Sequence, residues 1–262
     1  MSKKKEKYIE KVGITGDGVD YNVYHLTLKE RAIGYLIGLI AGGAAMQIMF
    51  GSLIASLILG AVIGFFSVPI YRKVLLEKRR KEILMQFRDL LDSLSNSFSA
   101  GKNTPDAFND SFNDMKLSYG REAPITKEIS IIMGGLQSNF TIEDLLMDMS
   151  ARCGSEDIYC FADTFSACNR IGGNLKKIVS ESRDIINDKI EIKMEIDTTI
   201  AASKNEMNIM AAMPFLIVMM MGTMGEASIT ENTPINVVVK VIALGMFAIA
   251  YVIGRKMTAI KV

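Results

Sequence analysis

Four apolar stretches, paired at the two ends of the chain, constrain the fold more than any other feature: Ala32 to Phe50 with Ser52 to Tyr71, then Met207 to Met224 with Pro234 to Gly254. Each has about the 20 residues that a helix needs to cross a hydrocarbon layer, where an unpaired backbone group costs several kcal/mol and helix satisfies every one internally. The layout predicts an all-α, polytopic membrane protein: four transmembrane helices in two pairs, with a long polar block between them. The chain's 262 residues are 49% hydrophobic and carry a net charge of +1, averages that look globular because they mix apolar and soluble parts.

Basic residues in the short flanks set the expected sidedness. Residues 1–31 hold Lys3, Lys4, Lys5, Lys7, Lys11, Lys29 and Arg31, and the polar block opens with Arg72, Lys73, Lys78, Arg79, Arg80 and Lys81. The connection from Gly225 to Thr233 carries Glu226 and Glu231 and no cation, whereas the tail has Arg255, Lys256 and Lys261. Positive-inside then predicts a multi-pass protein of the inner (cytoplasmic) membrane, with both termini and the central block in the cytoplasm. The expected divisions are a cytoplasmic segment 1–31, a membrane hairpin 32–71, a soluble domain 72–206, a second membrane pair 207–254 and a tail 255–262. A soluble protein with four buried core helices would have no reason to sort its cations this way. The lysine-rich start runs through polar residues to Arg31, without a short apolar core and cleavage site, so the first crossing is expected to remain as an anchor.

Small residues recur every four positions in the first pair, at Gly34, Gly38 and Gly42, and again at Ser52, Ser56, Gly60 and Gly64. Such stripes let two helix backbones approach and gain packing that lipid cannot supply, which predicts a tight antiparallel hairpin; the bland alternative is that glycine is simply common in membrane helices. Lys240 is the sole full charge inside the stretches and is expected to snorkel to the interface. Cys153, Cys160 and Cys168, spaced by seven and eight, read as reduced core residues near one helical face rather than as a metal-type pair.

Within the block the period is helical throughout. Ile83, Phe87, Leu90, Leu91, Leu94 and Phe98 form one apolar face that ends at Ala100-Gly101. Thr104-Pro105 is expected to start a second helix, with Thr104 as its cap, running to Gly120. A third spans about Pro124 to Gly135, and a fourth starts at Thr141 with Asp144 as a capping-box-like partner. A fifth runs from Ser155 to Gly172-Gly173. The sixth begins at Asn174, and its apolar residues Leu175, Ile178, Val179, Ile185, Ile186, Ile192 and Ile196 show a coiled-coil-like spacing of seven toward the third membrane stretch, where Pro214 is expected to kink it. The sum is a six-helix bundle. Val19, Tyr21 and Val23 alternate as a short strand does, or belong to an interfacial arm with Tyr21 and Tyr24 at the headgroups.

The block from about Ile83 to Pro214 resembles the F domain of type II secretion systems, and most closely the single-domain inner-membrane proteins of the tight-adherence (Tad) pilus, TadB and TadC. The matching residues are the first helix closing on Leu94, Ala100 and Gly101, the Ala107 helix, and the Glu143-Asp144-Leu145 helix ending in Arg152. Sharpest is the turn Arg170-Ile171-Gly172-Gly173-Asn174-Leu175. Asn187-Asp188-Lys189 stands where members often carry Arg-Glu-Arg, a departure from the pattern. The resemblance implies a platform protein that couples a hexameric secretion ATPase to pilin subunits, pairing with itself or with a sister F-domain protein.

The residues themselves give Gly172 and Gly173 a structural role first. One closes the helix in a left-handed conformation, the other leaves room for the next helix, and Asn174 caps it. A hairpin tip is also a contact surface, so Arg152, Arg170, Gly172, Gly173, Asn174, Arg183 and Asp184 are the candidate partner-binding residues, although charged residues of this kind are mostly solvated faces. The sequence holds no GxxxxGK[ST], HExxH or GxSxG pattern, and its one histidine, His25, lies outside the block. No catalytic role, cofactor or metal is expected. Nucleic acid is disfavoured because the Arg72–Lys81 cluster adjoins the membrane, where anionic lipid is the nearer partner. A small transporter or channel is the alternative, with Gln47, Thr223 and Lys240 as its polar candidates.

Overall fold

The structure, a computed structural model, describes residues 11–16, 18–50, 53–223 and 234–258. Helix is the sole regular secondary structure among them: α1 (Leu28–Phe50), α2 (Leu53–Ser99), α3 (Thr104–Tyr119), α4 (Pro124–Gln137), α5 (Ile142–Cys153), α6 (Glu156–Arg170), α7 (Leu175–Thr223) and α8 (Pro234–Thr258). The acidic connection 225–233, the lysines at 3, 4, 5 and 7, and Lys261 lie outside the described residues. The chain divides into two compact units, one of residues 1–25 and 73–190, the other of residues 26–72 and 191–262. Helices α2 and α7 each contribute to both.

The second unit holds the apolar helices. Among the described residues, α1 and α2 are long and apolar enough to cross a bilayer, and only 17% and 11% of their most apolar windows are buried. A soluble core helix would be covered. Instead Ile40, Leu53, Ile54, Phe65 and Phe66 stand exposed, an apolar surface of the kind that marks contact with a membrane or a protein partner.

What α1 and α2 do bury is the small-residue stripe. A Cβ built on Gly38 would lie 2.8 Å from the Gly64 Cα, and one on Gly60 would lie 3.0 Å from the Gly43 Cα. Gly42 meets Ile63, Gly34 meets Tyr71, and Ser56 is buried with its carbonyl facing Gly43. The expected period therefore does set the antiparallel contact, and it continues to Ser67, whose hydroxyl donates across the hairpin to the Gly34 carbonyl (2.5 Å). Gly38→Leu should force the two backbones apart at a point where neither can yield. The expected cost is about 1–3 kcal/mol, the range for overpacking a close-packed contact, read as a lowered thermal midpoint of the detergent-solubilised chain. An unchanged midpoint would show that the contact carries no stability.

Elsewhere in this unit Met207 of α7 lies against Gly254 of α8. Lys240, expected to reach an interface, is instead 8% exposed, because neighbouring side chains cover it. Helix α7 continues through Pro214, as α2 does through Pro69.

The first unit is built on the apolar face of α2. Ile83, Phe87, Leu90, Leu91 and Leu94 are at most 1% exposed, and Phe87, Phe161, Phe165 and Phe108 form a chain of ring contacts at 5.4, 5.5 and 6.2 Å between centroids. Caps explain where the helices start. Thr141 accepts the Asp144 N–H and its hydroxyl donates to the Asp144 carboxylate, so the predicted pair meets, with the hydroxyl rather than the Thr141 N–H as the carboxylate's partner. The cap of α3 is Asn103, not Thr104: its side chain accepts the Asp106 N–H, and Thr104 falls in the first turn. Helix α4 has no capping side chain of its own, and Gln86 of α2 accepts the Ile125 N–H instead (3.1 Å, buried). That partner comes from 39 residues away, beyond the reach of any local motif.

Two expectations for the packing are corrected. Ile185 and Ile192 of α7 are 64% and 53% exposed, while Val179 and Ile186 face the core. The expected spacing of seven is kept by the buried pair Val179 and Ile186, whereas Ile185 and Ile192, members of the same expected series, lie outside the buried face. Cys153 and Cys168 are buried, but Cys160 is exposed: it shares α6 with Cys168, and eight residues of helix turn it about 80° away, outside the buried face.

Candidate functional site

The predicted contact residues do not form one patch. Gly172 closes the α6–α7 turn at φ +67°, with its N–H donated to the Asn169 carbonyl, and Asn174 accepts the Lys177 N–H at the start of α7. Both local roles assigned to this turn are present. Gly173 is required for a different neighbour than expected: a Cβ there would lie 2.6 Å from the Cys168 Sγ, on α6 rather than on α7. Arg170, Ile171, Gly172, Gly173 and Asn174 are all exposed, and Ile171 is 82% exposed at the tip. A large apolar side chain, flanked by a cation and by open backbone, is thus presented at the turn that Gly172 closes.

Arg183 and Asp184 lie nine or more residues further on, about 14 Å along the helix axis. Arg183 bonds Asp184 (2.7 Å), the Ser180 hydroxyl and Asp92 of α2 (3.3 Å), so its guanidinium joins α7 to α2. Asp184 remains the open member of that pair, at 61% side-chain exposure.

Arg152 is the clear departure. Expected on a solvated face, it is 1% exposed and is among the largest fully buried side chains. Its Nη1 donates to Glu128 Oε1 of α4 (2.7 Å) and its Nε to Asp148 Oδ2 on its own helix (3.0 Å). A buried guanidinium costs several kcal/mol to desolvate, and only ionised partners held this close offset it. Burial pulls Arg152 toward neutrality, and the hydrogen bonds and charges of Glu128 and Asp148 more than reverse that pull. Glu128 is raised above the usual carboxylate range by burial, against the opposing bond and charge of Arg152 and the nearby Tyr21 hydroxyl. Its Oε2 meets no donor at hydrogen-bonding geometry among the described residues.

Residues 11–16 and 18–25 form a lid over this pair; they make no strand, and Tyr21 lies in the core rather than at headgroups. Tyr21 inserts into the core at 1% exposure; its N–H donates to the Arg152 carbonyl (3.0 Å) and its hydroxyl to the Pro124 carbonyl (3.4 Å). Asn22 donates to the same Arg152 carbonyl, and the Ile14 N–H donates to Asp148 Oδ1 (3.1 Å). Gly13 and Gly18 press against the arginine, with no room for a Cβ at either. Arg79 stacks over the Tyr21 ring at 4.7 Å, and Arg80 donates to the Asn22 side chain (2.7 Å). These partners lie more than 50 residues from the segment in sequence, and no periodic signal in so short a polar stretch announces them.

Among the described residues no three or more His, Cys, Asp or Glu side chains gather as a metal site. No family model, curated protein or solved structure matches the chain. Function has to be argued from the sites themselves.

Proposed function

We propose that this chain is an inner-membrane platform protein of a Tad-like or type IV-like pilus, or of a related type II-like secretion machine, held by four transmembrane helices with both termini in the cytoplasm. The α6–α7 tip is then the docking point for a hexameric secretion ATPase, and α7 is the lever that carries its motion toward the helices holding pilin subunits. Energy comes from the partner, and the platform works as a pair with itself or with a sister protein. The observation that carries this reading is the tip: Ile171, 82% exposed, beside Arg170 and the Gly172-Gly173 turn that the sequence resemblance singles out. Support also comes from α7, one continuous helix from Leu175 to Thr223 that starts at this turn.

Ile171→Asp tests it in membranes of the full-length chain. An exposed substitution of this kind changes folding by no more than about 0.5 kcal/mol, so the unit stays folded while an apolar contact is lost. Co-purification of the cell's secretion ATPase should fall at least tenfold, with Cys153 still protected from thiol reagents. Undiminished recovery of the ATPase would remove the tip from the interface.

A further inference from the structure

Next to the Tyr21 lid, the first unit has a recess of about 420 Å³ whose lining includes Lys11, Asp20, Tyr24, His25 and Arg79. Its charge is predominantly positive. The one carboxylate, Asp20, is already committed: its two oxygens accept the backbone N–H groups of Lys11 (3.0 Å) and Asn22 (2.8 Å). Arg79 is held differently. Its guanidinium lies 4.7 Å from the Tyr21 ring centroid and 5.9 Å from that of Tyr24, and among the described residues no carboxylate pairs with it. Stacking on two rings fixes the plane of the fork without using its N–H donors, which is how an arginine is made ready for a tetrahedral oxyanion.

Only a few residues of chain separate the lining of this recess from the apolar segments. His25 precedes α1 by three residues, at most about 10 Å of extended chain. Arg79 follows Tyr71 by eight residues on the continuous helix α2, about 12 Å of rise. Both are contour lengths, upper bounds on the height above the hydrocarbon edge that helix tilt and chain folding shorten, to be set against a headgroup layer of about 5–7 Å on each side of a core about 30 Å thick.

We propose that the recess binds the phosphate of an anionic phospholipid headgroup, with Arg79 as its principal donor and Lys11 on its rim. The proposal rests on the membrane placement above, not on the machine the platform serves. A bound headgroup would tie the Tyr21 lid to the lipid surface.

The test uses the full-length chain in mild detergent, with its thermal midpoint followed against dihexanoyl phosphatidylglycerol, dihexanoyl phosphatidylcholine or inorganic phosphate. Phosphatidylglycerol should raise the midpoint, and the other two should need at least tenfold higher concentration for the same rise. Arg79→Gln should shift the phosphatidylglycerol response at least tenfold to higher concentration. Because Arg79 also packs on Tyr21, Lys11→Gln is the second variant, with a shift of severalfold. An equal response to phosphatidylcholine, or a response untouched in both variants, overturns the site. A phosphate response matching that of phosphatidylglycerol overturns the lipid as its source. Release of the chain from its membranes by alkaline carbonate would sink the membrane placement itself, whereas no response from a chain that resists extraction sinks this site alone.

Discussion

Arg152→Met should destabilise the first unit by about 3–5 kcal/mol, the cost of leaving a buried carboxylate without its counter-charge. Methionine fills much of the arginine's volume, so the loss isolates charge and hydrogen bonding from packing. Two consequences separate this from an ordinary core mutation. First, adding Glu128→Gln should recover much of the loss, because the stranded acid is then gone; a double variant no better than the single one would show that Glu128 is not the group left exposed to the penalty. Second, the loss should depend on pH with a defined sign. Burial already holds the Glu128 carboxyl above its ordinary value, and removing Arg152 takes away the bond and charge that oppose burial. A group whose folded value is raised contributes its stability below the unfolded value, about 4.3 for glutamate, and loses it as pH rises through the folded value. The variant's deficit should therefore be small near pH 4 and full at pH 7.5, as measured by urea titration of helicity in the detergent-solubilised chain. A deficit constant across that range would mean that Glu128 does not titrate as the structure requires.

Tyr21→Ala should cost a similar amount, about 3–5 kcal/mol, the range for deleting a fully buried aromatic side chain. Here the loss is spread across the lid. The ring is the apolar plug, Arg79 stacks on it, and the adjoining backbone satisfies the Arg152 carbonyl. Cys153, buried at the end of α5 beneath this lid, supplies a readout. In a Cys160→Ser background, its labelling rate by a thiol reagent follows the population of the opened unit, and about 1.4 kcal/mol corresponds to a factor of ten. Tyr21→Ala should raise the rate at least a hundredfold, while Tyr21→Phe, which keeps the plug and loses the hydroxyl's long bond to the Pro124 carbonyl and its support of the Glu128 carboxylate, should raise it less than tenfold. Equal rates for wild type and Tyr21→Ala would show that residues 11–25 do not hold the unit closed. The same result would also mean that a soluble fragment beginning at residue 72 is a fair substitute for the whole unit. The geometry predicts that it is not, because such a fragment leaves Arg152 without its lid.

Local and periodic information was enough to read most of the architecture. The face from Ile83 to Leu94 repeats every three or four residues, the Thr141–Asp144 cap spans one turn, and Gly172 supplies the positive φ that ends α6. The Gly38–Gly64 approach was legible for the same reason: a four-residue period of small side chains marks a helix face before any partner is known. Errors arose where identity was taken for environment. Asn103 and Thr104 are both competent caps, and only the path of the chain into α3 selects between them. Arg152 looks from sequence like any other arginine near the end of a surface helix. Burial depends on Glu128 and Asp148 arriving at 2.7 and 3.0 Å and on the lid that closes over them.

What the amino-acid order determined by itself is helix content, the helix ends governed by turn chemistry, and two apolar helices long enough to span a bilayer, because each follows from residues within a few turns of one another. Only the tertiary structure decided that α4 is capped from α2, that the cysteines separate into two buried and one exposed, and that a polar N-terminal stretch becomes part of the core. Those outcomes depend on which surfaces meet across 39 to more than 100 residues of chain, as between Gln86 and Ile125 or Tyr21 and Arg152. A charge or a ring carries no mark of its burial until the partner that offsets its desolvation is in place.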